Sequence, residues 1–462
     1  MDSDEDCRAH CLLVPYPIQG HINPFLQFAK RLRHKRRRLQ ITLALTRFTL
    51  KSTGAAAGES SISFRSISDG FDDGGRAQAR SFEEYRDRFE RVGRETLTNL
   101  LRELSDSGRP VWCLVYDPFI PWVVEVAEGF GFPTAAFFTQ SCAVNGVYHQ
   151  VYCGRLRAPL QEDEVAEVAP ELPPLKAEEV PSFIRVAGEY QGALEMVTNQ
   201  FRHVEKADWI FVNTFYMLEE KIINYQAQFW PIKAIGPTIP SMCLDKRLQD
   251  DEEYDLSLFK PSSSVCLNWL DQQQSKSVIY VSFGSLAQLN VEQTQELAQA
   301  LTIINKPFLW IVRKSEESKL PHSFPLEKGL IVSWCPQLKV LGHDAVGCFI
   351  THCGWNSTLE ALSLGVPMVA MPQWTDQITN AKFVTDVWKI GMWAKGDQSG
   401  IVKEKEISRC IKHVMEGVDG EEIKKNSNKW KESAREAVDK GGSSDKNIEE
   451  FIRALEKSNV RG

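Results

Sequence analysis

No stretch of this 462-residue chain approaches the ~20 consecutive apolar residues of a membrane span. The first ten residues, MDSDEDCRAH, are acidic and carry no apolar segment, so no secretory signal is expected. Basic residues are not in excess. The 54 Lys and Arg stand against 61 Asp and Glu, a net charge of -7, so nucleic acid is not an expected partner. The 11 cysteines include no CxxC pair and are expected to be small buried residues of a cytoplasmic, monomeric protein. In CFITHC, Cys348, His352 and Cys353 supply only three ligands where structural sites want four, so no metal is expected. The first strand-like run, HCLLVPYP, is followed by IQGHINP and not by GxGxxG, which argues against an NAD enzyme.

What the chain does have is alternation. Strand-like runs such as HCLLVPYP, QITLALT, VWCLVYD and TAAFF are separated by helical patterns, the first with Phe25, Phe28, Ala29 and Leu32 on one face. A polar, strand-free stretch, 242–264, interrupts this rhythm, which restarts at SVIYVSFGS. The expectation is an α/β protein of two facing Rossmann-like, doubly wound domains with a cleft between them. Residues 1–241 form the first domain, 242–264 the linker, 265–445 the second domain and 446–462 a terminal helix. Lys30 to Arg38, KRLRHKRRR, could suggest RNA or anionic lipid. A solvated helix end, with cations at its C-terminus, is the reading preferred.

The segment GCFITHCGWNSTLEALSLG fits strand, tight turn, helix, with Asn356 or Ser357 as cap and Gly365 as stop. A helix N-terminus suits a phosphate, and His352, Asn356 and Ser357 can add hydrogen bonds. Glu360, one turn in, can accept from two vicinal sugar hydroxyls. The segment alone fits a capped helix with a buried histidine equally well. Its surroundings favour the nucleotide. Trp334 and Gln337 follow one strand and offer a stacking face for a base, while Trp374, Asp376 and Gln377 follow another and can read a neutral sugar.

The 44 residues from Trp334 to Gln377 closely resemble the signature box of plant secondary-product UDP-glycosyltransferases, with WCPQ, HCGWNS, a glutamate three residues later and a terminal DQ. GHINP, VSFGS and GGSSDKNIEEF extend the resemblance along the chain. SISDGFDDGG and FFTQSCAVN resemble the subgroup acting on small acids, steroids and terpenoids. The resemblance implies the GT-B fold, an acceptor site in the first domain and UDP-glucose as donor in the second. By position, Trp334 stacks on uracil, and Gln337 and Glu360 meet the ribose. Ser285, His352, Asn356 and Ser357 meet the diphosphate, with Cys335 and Gly354 inside the same motifs. Trp355, Asp376 and Gln377 meet the hexose, Gln377 marking glucose users, and Thr139 touches the sugar. In the resembled fold the terminal helix, with Ile448, Phe451, Ile452 and Leu455 on one stripe, packs back on the first domain.

His21 follows the first strand, and Asp117 ends another at the equivalent edge. Histidine is the natural base near neutral pH, and a carboxylate fixes its tautomer. Sequence alone leaves open whether they touch; in the resembled family the pair is the catalytic base and its partner. The implied activity is inverting, metal-independent glucosylation of a hydroxyl or carboxyl on a small hydrophobic acceptor. The alternative is a catalytically silent UDP-sugar-binding protein. Ile18, Gln19, Phe119, Trp122, Gln140, Met196, Phe201 and Trp374 are expected to wall a mostly apolar acceptor pocket.

Overall fold

The computed structural model describes residues 9–53, 62–185, 191–254, 256, 263–322, 324 and 327–459. The acidic N-terminal residues 1–8, part of the polar stretch 242–264 and the last three residues lie outside them. Among the described residues no helix is long and apolar enough to cross a membrane.

The apolar runs become short strands, the inner ones buried on both faces as parallel sheets require, and the edge strands Ser63–Ile67 and Gly329–Val332 largely half-buried. In the first half these are β1 (His10–Val14), β2 (Gln40–Thr46), β3 (Ser63–Ile67), β4 (Cys113–Tyr116) and β5 (Thr134–Phe138). A small antiparallel hairpin follows, β6 (Val165–Ala166) with β7 (Leu175–Lys176), then β8 (Trp209–Val212) and β9 (Ile232–Ala234). Seven strands pair in the order β3-β2-β1-β4-β5-β8-β9, all parallel. The second half has β10 (Val278–Ser282), β11 (Phe308–Ile311), β12 (Gly329–Val332), β13 (Val346–Thr351), β14 (Met368–Ala370) and β15 (Gly391–Trp393). Their order is β12-β11-β10-β13-β14-β15, again all parallel.

Strand order reverses direction once in each sheet, between β1 and β4 and between β10 and β13. At such a point the two connections leave toward opposite faces, and a crevice opens beyond the carboxyl ends of the strands. His21 and Asp117 follow β1 and β4, while Ser285 and His352 follow β10 and β13. Both groups therefore stand at a switch point.

The helix Gln19–Lys35 buries Phe25, Phe28, Ala29 and Leu32, as its spacing predicts. Its basic run is solvated only in part, at His34, Arg37 and Arg38, where a solvated end was expected throughout. Lys30 pairs with Asp251 at 2.6 Å, Arg31 with Asp245 at 3.0 Å, and Lys35 with Asp445 at 2.7 Å. Arg36 reaches Glu449 and Glu456, and Arg247 also pairs with Asp445. The run thus clasps the stretch after residue 241 and the final helix, because their carboxylates converge on it in space. The linker in turn is an ion-paired strap, with Lys339 of the second half held by Glu252 and Glu253.

The final helix, Ser443–Asn459, lies on the first sheet. Ile448, Phe451, Ile452 and Leu455 share one core with Leu13, Phe25, Phe28, Phe137 and Phe211. The Phe451 ring meets Phe211 edge-on at 5.0 Å and Trp209 at 5.6 Å. Ser444 Oγ donates to the Gly236 carbonyl, and Asn447 Nδ2 to that of Ala234.

Candidate active site

His21 sits in the first turn of its helix and is 7% exposed. Its Nδ1 lies 2.5 Å from Asp117 Oδ2 and 3.1 Å from Thr139 Oγ1. Asp117, 1% exposed, is itself held, since its Oδ1 accepts from the Phe119 N–H and its own N–H donates to the Val14 carbonyl. A carboxylate at Nδ1 fixes the tautomer with the lone pair on Nε2. The rings of Tyr16 and Phe119 pack against the imidazole, with centroids at 5.7 and 4.8 Å. Thr139 joins this pair through its hydroxyl, where the resemblance implied a sugar contact.

Facing it is the turn after β13. The helix Trp355–Leu364 is capped by Gly354, not by Asn356 or Ser357 as expected; no side chain caps it. Asn356 and Ser357 lie inside its first turn and are free for other work. Asn356 Nδ2 donates to the Gly20 carbonyl at 2.7 Å. The Trp355 indole N–H, expected at the hexose, donates to the Asn213 carbonyl at 2.7 Å. Both residues therefore bridge to the first half.

His352 lies between two bare turns. A Cβ on Gly354 would come within 2.5 Å of its Nε2, and one on Gly284 within 2.8 Å of its ring. Only glycine leaves this cradle open, and Gly284 also has φ of +72°. Burial lowers the His352 pKa to about 4, so the ring is neutral at pH 7. The first N–H groups of the helix, the glycines and a neutral donor fit a diphosphate. Ser285, half-buried, is fixed from below, for Arg313 donates from Nη1 to its carbonyl and from Nη2 to that of Ala287. Sequence reasoning missed Arg313, which ends the run PFLWIVR.

Glu360 is 5% exposed. Gln337 Nε2 donates to it at 2.7 Å and to Ser357 Oγ at 2.9 Å, while Gln337 Oε1 accepts from Tyr280. The Gln337 amide is thus spent within the protein. In this arrangement it orients Glu360. Tyr254, from the strap, donates to the other Glu360 oxygen at 3.1 Å. Burial pushes the Glu360 carboxyl up to about 7, with Gln337 and Tyr254 pulling down. Trp334 is half-buried beside this group in sequence, and Cys335, buried, accepts or donates at the Tyr280 hydroxyl. Asp376 is held by Thr375 and Asn380. Burial raises its pKa, against those hydrogen bonds. Gln377 Oε1 accepts from the Gln373 and Trp374 N–H groups, which leaves its NH2 end available.

Among the described residues no group of three or more His, Cys, Asp and Glu could hold a metal. Cys348 and Cys353 lie in separate apolar clusters.

A cavity of about 310 Å³ opens beside Tyr16 and Phe119. Phe119, Trp122 and Met196 line it, as expected. Ile18, Gln19, Gln140, Phe201 and Trp374 do not. Gln19 is drawn away by Asn23 and the Leu256 carbonyl. Phe201 is fully buried, stacked between Phe138 and Trp230. Trp374 packs on Phe183, Ile18 packs against the core, and Gln140 Oε1 is buried. The missed walls include Tyr16, the charged Glu90, Glu195 and Arg202, and Tyr85 and Phe89 on the helix Phe82–Asp106. The signal of that aromatic pair was legible: Phe82, Tyr85 and Phe89 recur at helical spacing after the Ser81 cap.

A family model described as "UDP-glucoronosyl and UDP-glucosyl transferase" matches residues 240–432. The chain is 47% identical over 460 residues to UDP-glycosyltransferase 74F2 of Arabidopsis thaliana, covering 98% of this chain and 99% of that protein. It is 44% identical over 456 residues to mogroside I-E synthase of Siraitia grosvenorii, covering 97% and 99%. Its structure is similar to that of Os79 from O. sativa in complex with UDP, with TM-score 0.91 and 41% identity over 96% of this chain and 100% of that one.

Proposed function

The chain belongs to the plant UDP-glycosyltransferases and is a glycosyltransferase of GT-B fold, and from that premise we propose that it moves glucose from UDP-glucose, with inversion, to a hydroxyl or carboxyl of a small hydrophobic acceptor. Residues 1–241 hold the acceptor, 242–264 link the halves, 265–445 hold the donor and 446–462 tie the chain back to its first half. The observation that carries the reading is the His21–Asp117 pair, 2.5 Å apart, at the switch point of the first sheet.

In this mechanism Nε2 of His21 takes the proton of the acceptor hydroxyl, and Asp117 stabilises the imidazolium that forms. The acceptor oxygen bonds to the anomeric carbon as the bond from that carbon to the UDP oxygen breaks on the opposite face, turning an α-linked donor into a β-glucoside. The helix N-terminus after Gly354, with His352 and Ser285, receives the charge that builds on the leaving diphosphate. Trp334 stacks on the base, Glu360 accepts from the ribose, and Asp376 with the free NH2 of Gln377 reads the glucose. A carboxylate acceptor is already ionised and needs His21 less.

Turnover of UDP-glucose with a panel of steroids, flavonoids, triterpenes and aromatic acids tests the reading, with UDP-galactose and NAD alongside. Transfer from UDP-glucose at higher kcat/KM than from UDP-galactose is expected. UDP binding with no transfer to any acceptor would favour the silent alternative, and equal use of both donors would remove the role given to Asp376 and Gln377.

A further inference from the structure

The cavity beside Tyr16 and Phe119 is chemically two-ended. Its inner end is aromatic, built by Tyr16, Tyr85, Phe89, Phe119 and Trp122, and two of those rings touch His21. Its outer end is ionic. Glu90, Glu195 and Arg202 line it, together with Arg86 and Asp87.

These charges are largely spent on one another. Arg86 Nη1 holds Glu195 at 2.7 Å and its Nε holds Asp87 at 3.0 Å. Arg202 Nη2 shares Glu90 at 3.2 Å and Glu125 at 3.4 Å, and Arg94 takes the same two carboxylates at 2.8 and 2.9 Å. Two arginines against three carboxylates at the cavity wall offer no strong field to an anion or a cation. What remains is hydrogen-bonding capacity. Each carboxylate keeps acceptor sites beyond its guanidinium partner, and Arg202 Nε is buried with no hydrogen-bond partner. A paired carboxylate and guanidinium are the natural partners of a neutral hydroxyl, which donates to one and accepts from the other.

Resting on the acceptor role proposed above, we infer that the preferred acceptor is bipolar: a reacting hydroxyl at the His21 end, a flat apolar body between the aromatic walls, and a neutral hydroxylated group at the far end that meets Glu90, Glu195 and Arg202. A volume of about 310 Å³ lies at the small end of ligand pockets, so the body is a few fused rings and not a long chain.

The test compares matched acceptors on one flat polycyclic skeleton: the mono-alcohol, the diol with its second hydroxyl at the opposite end, and the acid with a carboxylate there. The diol is expected to exceed the mono-alcohol in kcat/KM by about 10- to 100-fold, the worth of one hydrogen bond to charged partners and well beyond a twofold statistical gain. The acid should not outdo the diol. In Glu195→Ala and Arg202→Gln the diol-to-mono-alcohol ratio should fall toward one. If Arg202→Gln does not fold, Glu195→Ala decides, since that side chain is 42% exposed on a short helix. Equal kcat/KM for the two alcohols, a ratio unchanged in Glu195→Ala, or preference for the acid would overturn the inference while leaving the glucosyltransferase reading intact. No transfer to any of the three, with transfer to members of the broader panel, would overturn the inference alone; no transfer to either set would remove both.

Discussion

The side-chain amide of Asn356 donates to the carbonyl of Gly20, the residue directly before His21, across 336 positions of sequence. One residue in the first turn of the donor-cradle helix thus grips the backbone that carries the base. Trp355 makes the parallel contact to Asn213. Two adjacent residues therefore set the register between the two switch points, and alignment of reacting groups is where rate is most sensitive to small displacements.

Asn356→Ala is accordingly expected to lower kcat by about 10-fold or more while changing the Kd for UDP much less. Calorimetry with UDP and steady-state rates on the same variant separate the two. A large loss of UDP affinity at unchanged kcat would assign Asn356 to the phosphate and not to alignment.

His21→Ala should cost roughly 10²–10⁴-fold in transfer to an alcohol or phenol, the usual worth of a general base, with UDP binding kept. The loss should be smaller for a carboxylate acceptor. Near-normal glucosylation of an alcohol by this variant would exclude His21 as the base.

Glu360 makes the ligand-free protein pH-sensitive in a defined direction. Its carboxyl is raised from an ordinary 4.5 to about 7, chiefly by burial. Between those values the folded chain keeps a proton that the unfolded chain has released, so this stability is present below about 4.5 and is lost as pH rises through 7. The loss is of the order of 3 kcal/mol. Glu360→Gln should therefore raise Tm at pH 8 more than at pH 5, while weakening UDP binding. In the unmodified protein, ribose hydroxyls need the ionised carboxylate, so UDP affinity should fall about tenfold per pH unit below 7. A UDP Kd that is flat from pH 5.5 to 8 would contradict that role.

Phe451→Ala removes a fully buried ring from the core shared with Phe28 and Phe211. The expected cost is about 3–5 kcal/mol. Hydrogen exchange should show lost protection in β8 and β9 of the first sheet, not only in the final helix. Loss confined to residues after the strap would mean that the helix is not coupled to that sheet.

The sequence by itself determined the local features: which runs are strands, where the polar stretch interrupts them, the stripe from Ile448 to Leu455, and the tight turn at Gly354. These follow from hydrophobic period and backbone sterics over a few residues, so they are legible without the fold. Resemblance of motifs carried the family. Tertiary structure alone decided which strands are neighbours, and so that His21 meets Asp117 and Gly284 lies against His352. It also decided that the basic run Lys30–Arg36 clasps the strap and the final helix, that Gln337 donates to Glu360, and that Phe201 belongs to the core while Tyr85 and Phe89 wall the cavity. Each of these is a partnership between groups distant in sequence. A buried polar or charged group is satisfied by whatever the packed chain brings within about 3 Å, and no local pattern records which group that will be.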